Sequence, residues 1–197
     1  MNASSPQHDR RRLLIAAVVA VAVFAGAAVS VWQLDSSSSG ASTTSTESAV
    51  PMPAIVAVKP EIVSAVTLRQ MARALGQPVY WAGSRAGTRI EFTRASSGST
   101  YVRYLTGSAK AGDKRPNFVV VATYAQPDAY ARVEAIAKKQ NLDMVDLPNG
   151  AVAVTEPGSP RNIHVVFKTL PYQVEVYAPS AAEARSIVQS GALKPAG

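Results

Sequence analysis

The sequence predicts an α+β domain, an antiparallel β-sheet of meander hairpins with about three helices, standing behind an N-terminal transmembrane helix. Three observations carry that reading. Segments of period two separate three segments of helical period. Successive strands are joined by short turns rather than by helices. A run of twenty uncharged residues near the N-terminus stands apart from both patterns.

That run, Leu13 to Trp32, is broken only by Gly26 and Ser30. At about 1.5 Å per residue a helix of this length matches the hydrocarbon thickness of a bilayer, about 30 Å. Arg10, Arg11 and Arg12 precede it, and no basic residue follows until Lys59. The positive-inside rule therefore places residues 1–12 in the cytoplasm, 13–32 in the membrane and the remainder outside, a single-pass arrangement at the cell membrane. A cleaved signal peptide, with Ala25 to Ala28 as its small-residue site, is the alternative. The length of the run and Trp32 at its outer end favour an uncleaved anchor. Residues 33–53 form a Ser/Thr-rich linker with too little apolar content to fold, and 54–197 form the extracytoplasmic domain.

Within that domain the first helix is expected over Thr67 to Leu75, with Leu68, Met71, Ala72 and Leu75 on one face. Thr67 and Gln70 would form a capping box, and Gly76 and Pro78 would stop the helix. Arg89 to Arg94 alternates cleanly, and after a Ser-Ser-Gly-Ser turn Thr100 to Leu105 answers it as the second strand of a hairpin. Phe118 to Tyr124 is apolar on both faces, the mark of a central strand. A second helix starts near Pro127 and Asp128 and ends at Asn141, with Val133, Ile136 and Ala137 inward. Met144 to Leu147 and Ala151 to Thr155 flank Asn149-Gly150, a hairpin turn, and Ile163 to Phe167 and Tyr172 to Tyr177 form another strand pair. The third helix opens at Ser180, with Glu183 as capping partner, and ends at Gly191.

The chain leaves Phe118–Tyr124 as Thr-Tyr-Ala-Gln-Pro-Asp and leaves Tyr172–Tyr177 as Val-Tyr-Ala-Pro-Ser, each time into an alanine-rich helix. Two related halves are one reading of this echo, and repeated use of one helix-start signal is the other.

The chain has no cysteine and two histidines, of which only His164 lies in the outer domain. Thiol chemistry, disulfides and His or Cys zinc spacings are thereby excluded, and no cofactor or metal is expected. No nucleophile elbow accompanies His164, so an envelope hydrolase or transferase using it with a nearby acid or serine is the weakest expectation. The acids are scattered, and Gly83-Ser-Arg-Ala-Gly87 matches neither a dinucleotide fingerprint nor a phosphate loop.

Charge is the regional signal. The formal net charge is +7, and Arg85 to Arg115 holds seven bases against Glu91 and Asp113. Arg89 and Arg103 fall on strands expected to pair, with Tyr101 beside them and Tyr80-Trp81 and Arg85 upstream. Tyr80, Trp81, Arg85, Arg89, Tyr101 and Arg103 are accordingly the candidate binding residues. A basic face with aromatics suits an anionic partner such as lipid headgroups, a phosphate-bearing wall polymer or an acidic protein. Nucleic acid is not expected outside the membrane. The leading expectation is a non-catalytic, membrane-tethered domain that binds an envelope component or a partner protein. A lipid or hydrophobe carrier with a cavity under the sheet is the alternative.

The stretches Gly76-Gln-Pro-Val-Tyr-Trp-Ala-Gly83, Tyr101-Val-Arg-Tyr-Leu105 and Val174-Glu-Val-Tyr-Ala-Pro-Ser180 resemble a group of single-pass, membrane-anchored proteins of high-GC Gram-positive bacteria that has no assigned activity. The resemblance implies a location and a shared fold and transfers no site residue. At fold level alone, the expected architecture is similar to envelope lipoprotein-carrier and photosystem-subunit-like families.

Overall fold

The computed structural model describes residues 57–197, so the expected tail, membrane helix and linker, with the first three residues of the expected outer domain, lie outside the described residues. In chain order the elements are β1 (Val58–Val63), α1 (Ala65–Ala74), β2 (Tyr80–Trp81), β3 (Thr88–Arg94), β4 (Thr100–Thr106), β5 (Val119–Ala125), α2 (Ala129–Gln140), β6 (Met144–Asp146), β7 (Ala151–Val154), β8 (Asn162–Phe167), β9 (Tyr172–Tyr177), α3 (Ala181–Gln189) and β10 (Lys194–Pro195). Eight strands form one antiparallel sheet in the order β1-β3-β4-β5-β9-β8-β7-β6, and β2 pairs with β10 beside it. The α+β antiparallel class read from the sequence is the class observed.

Period-two alternation sends side chains to two different covers. Phe92, Val102, Tyr104, Val121, Val165, Val174 and Val176 face α1 and α3, whose Leu68, Ala72, Ala184, Ile187 and Val188 complete the main core. The opposite face is covered in two pieces. Ala129, Val133 and Ala137 of α2 lie on Val152, Val154 and Val166, while Ala109 and Phe118, from the segment between β4 and β5, lie on Leu105. Helices thus pack on both sides of the sheet, and the strip between the two covers on the α2 face carries most of its buried polar groups.

Two elements differ from expectation at their starts. Helix α1 begins two residues before Thr67. Its N-cap is Ser64, whose hydroxyl accepts the Thr67 N–H at 3.0 Å, so Thr67 is the third residue of the helix and not its cap. Strand β1, just before it, was not expected because Pro60 interrupts any alternation. Here Pro60 falls where the β1–β3 register shifts, between Val58 and Glu61, on an edge strand that tolerates a missing donor. The two-residue strands β2 and β10 are too short for any periodicity to show.

The two meanders meet at β5 and β9, and a local twofold axis normal to the sheet through Ala122 and Glu175 would exchange these strands. It would also carry both following helices onto one face, yet α2 and α3 pack on opposite faces. Their starts explain the difference. The α2 approach contains the additional Gln126, and Asp128 turns through the left-handed region at φ 56°, whereas Ser180 is extended and caps Glu183 N–H at 3.1 Å. The echo stops at the strands, and the shared Tyr-Ala-Pro exit launches two helices in opposite directions.

Ser64→Ala and Ser180→Ala should each lower stability by about 1 kcal/mol through loss of the cap. Asp128→Gly should be neutral or stabilising, because Asp128 makes no side-chain cap bond and glycine tolerates its positive φ. Urea unfolding midpoints of the three variants check this.

Candidate functional site

The six residues proposed from sequence divide between the two faces. Tyr80 and Trp81, on β2, are only 3% and 4% exposed and belong to the main core. Tyr80 stacks on Phe167 with ring centroids 5.2 Å apart, and its backbone N–H donates to the Thr123 hydroxyl. Trp81 lies under the Arg69 guanidinium, and its indole N–H has no hydrogen-bond partner among the described residues. Arg85 reaches α3, pairing with Glu183 at 2.5 Å while covering the Tyr104 ring. The Tyr104 hydroxyl in turn accepts the Ala82 N–H at 2.7 Å, and burial pushes its pKa to about 12. These three residues hold the β2–β3 segment onto the sheet and α3.

Arg89, Tyr101 and Arg103 lie on the other face, where β3 and β4 pair in the expected hairpin. Arg103 donates to the fully buried Glu91 carboxylate at 2.7 Å and to the Asp113 carbonyl. The second oxygen of Glu91 accepts the Gly112 N–H, and Arg89 donates to the carbonyls of Gly107 and Ala109. The guanidinium groups of Arg103 and Arg115 cover the Phe118 ring, with Arg115 held by Asp113. Glu91 is one of two acids amid seven bases in the sequence, and it is the group around which residues 107–118 are fastened. The basic cluster read as a binding face therefore uses Arg89 and Arg103 as struts within the molecule.

Beside this lies an arrangement that sequence reading missed. Register aligns Thr93, Tyr101, Ala122, Glu175, His164 and Val154 in one row across six strands, all on the α2 face. Tyr101 meets Tyr124 edge to face at 6.1 Å, and Tyr124 donates its hydroxyl proton to Glu175 at 3.0 Å. Burial raises Glu175 to about 7, with the Tyr124 bond opposing and the charge of Glu156 adding. Burial likewise raises both tyrosines, Tyr124 strongly. His164, 3% exposed, shares a 3.0 Å hydrogen bond between its Nδ1 and Gln173 Nε2, and burial lowers it to about 4, so the ring is neutral at ordinary pH. A neutral ring accepting at Nδ1 carries its proton on Nε2. The signal available in the sequence was period two itself. It put Glu175 and His164 each on a strand but could not place the two strands side by side in register.

His164 and Glu175 are adjacent, and their pKa values are displaced in opposite directions, as an acid–base pair requires. Access is what they lack. Val133 and Ile136 of α2 close over His164, and the gap left there is about 10 Å³, at or below the space of one water. A larger open cleft, about 280 Å³, lies at the β6 edge between Val145, Leu147, Ile163 and Val188, with Asp143 and Arg185 on its rim. Among the described residues no three His, Asp or Glu side chains come together as a metal site, and no helix is long and apolar enough to cross a membrane. Comparison with protein-family models, with curated proteins and with solved structures finds no match.

Two predictions follow from these contacts. Glu91→Ala should cost about 2–3 kcal/mol, since it leaves the partly buried Arg103 guanidinium and the Gly112 N–H without their carboxylate, and should speed hydrogen exchange at the Gly112 amide. The pH dependence is the other. The folded state holds the Glu175 proton more tightly than the unfolded state, so its contribution is complete below pH 4.5 and lost as pH rises through about 7. For His164 the contribution is complete above pH 6.5 and lost as pH falls through about 4. Glu175→Gln should therefore gain on the wild type as pH rises from 4.5 to 7, measured by urea midpoints; a constant difference across that range would contradict the assignment.

Proposed function

We propose that the chain is a membrane-tethered, extracytoplasmic binding domain, non-enzymatic, that engages an anionic component of the envelope. The uncharged run Leu13 to Trp32 with Arg10 to Arg12 before it supports the tether. The observation that carries the binding half is the sorting of charge by depth. From residue 57 onward the chain holds 17 Lys+Arg and 10 Asp+Glu. Glu91 and Glu175 are buried, and Asp113, Glu134 and Glu183 are held in ion pairs. Lys59, Arg69, Arg73, Lys114, Lys139 and Lys194 all stand exposed. Four of these five acids each neutralise one base, so 13 Lys+Arg remain against Glu61, Asp128, Asp143, Asp146 and Glu156, a basic excess that favours anionic partners over neutral ones.

The carrier reading has less support. The space between the sheet and α1 and α3 is filled by the main core, which leaves the cleft at the β6 edge as the place where a hydrophobe would have to lie. The enzymatic reading is disfavoured by the cover over His164.

The test is membrane extraction combined with protease shaving of intact bacterial cells expressing the full chain. Resistance to alkaline carbonate, with digestion of the domain from outside, is the expected result. Release by carbonate, a mature mass lacking the first three dozen residues, or protection from external protease would overturn the tether.

A further inference from the structure

The folded domain meets the outside world unevenly. Four large apolar side chains are notably exposed among the described residues, and two of them, Ile62 at 43% and Val66 at 58%, lie at the corner where β1 passes into α1. The other two, Val145 and Leu170, are on β6 and in the turn after β8. Along α1 the buried positions are Leu68 and Ala72, so helical periodicity puts Val66, Arg69 and Arg73 together on the outward side. Arg69 covers the Trp81 ring, and neither it nor Arg73 is in an ion pair among the described residues. Lys59 on β1 and Lys194 on β10, opposite Trp81, are also exposed. Glu61 is the acid at this corner.

Place in the chain gives these residues a neighbour. The described domain starts at Ala57, one residue before β1, and β1 is an edge strand of the sheet. Residues 33–56 separate it from the end of the apolar run. For a segment of that length with the Ser/Thr-rich composition expected of a linker, the root-mean-square reach is about 27 Å. The β6 edge stands seven strand spacings farther on, about 34 Å across the sheet. A tether of that reach keeps the β1–α1 corner within touching distance of the bilayer at a high effective concentration, so weak adsorption is enough to orient the domain.

We infer that the corner formed by Ile62, Val66, Arg69 and Arg73 docks the domain on the anionic lipid headgroups of the membrane that holds it. The inference rests on the tethered reading above and adds a surface and a partner to it. The two aliphatic side chains enter the headgroup region, and the exposed arginines pair with lipid phosphates. The β6 edge and its cleft are then turned away from the bilayer.

The chain has no cysteine, so single labels are clean. Gln70→Cys on the outward side of α1 and Asp146→Cys on β6, each carrying an environment-sensitive fluorophore, are reconstituted as the full chain. The vesicles are phosphatidylcholine with or without phosphatidylglycerol, containing a brominated-acyl lipid as quencher. The label at position 70 should be quenched several-fold more in the presence of phosphatidylglycerol, should be released by salt, and the label at 146 should not respond. Replacing both arginines by glutamine should weaken docking about thirty-fold, about five-fold for each. Arg73→Gln alone, which breaks no hydrogen bond or ion pair among the described residues, gives the single step should the double variant misfold.

No response at position 70, an equal response at 146, survival of the response without the arginines, or a response to soluble polyphosphate in place of the anionic lipid would overturn the docking surface. Carbonate extraction of the same preparations separates the two failures. A chain that is released lacks the tether, and a chain that stays while position 70 remains unquenched has the tether without the docking.

Discussion

The pairing of β5 with β9 is the constraint from which the rest of the architecture follows. Each strand ends a meander, and their antiparallel union makes one eight-stranded sheet out of segments about fifty residues apart in the chain. A sheet of that width has two faces, and β5 carries valine or alanine on both while β9 carries valine on one and buried Glu175 and Tyr177 on the other, so neither face is left to solvent. Three helices cannot blanket both. Helices α1 and α3 take one side, α2 takes half of the other, and residues 107–118 are recruited to close the remainder.

That recruitment explains where the charge goes. A segment without regular structure has backbone groups to satisfy, and here Arg89, Arg103 and Glu91 satisfy four of them, at Gly107, Ala109, Gly112 and Asp113. Between this fastening and α2, and extending under α2 itself, the sheet carries side chains that bond one another, Tyr124 to Glu175 and Gln173 to His164, the last closed over by Val133 and Ile136. The buried ionisable groups thus have partners within the protein, which is a structural reason for their presence that requires no substrate.

Local signals in the sequence were readable because they report on a few neighbouring residues. The period of Arg89–Arg94, the Asn149-Gly150 turn and the Ser180 cap with its Glu183 partner all appear where expected. Register and face were not readable. Tyr101 and Arg103, two apart on β4, share a strand face, but Tyr80, Trp81 and Arg85 could be added to them only by proximity in sequence, and β2 lies on the opposite side of the sheet. Strand β1 escaped because Pro60 sits within it, and the start of α1 escaped with it, since Ser64 becomes a cap only when the residues before it are extended.

The same Pro60 bears on how copies of this domain coexist. An open sheet ends in two unpaired edges, and here they are different strands, β1 and β6. Were the β1 of one copy to pair with the β6 of the next, the contact would be head-to-tail, the kind that propagates from copy to copy as a ring or a filament. A proline in an irregular stretch of β1 removes a donor and spoils the register, and β6 offers only three residues to a would-be neighbour. The irregularity that hid the first strand from view is a safeguard against polymerisation, keeping each sheet the property of a single chain however densely its copies are crowded.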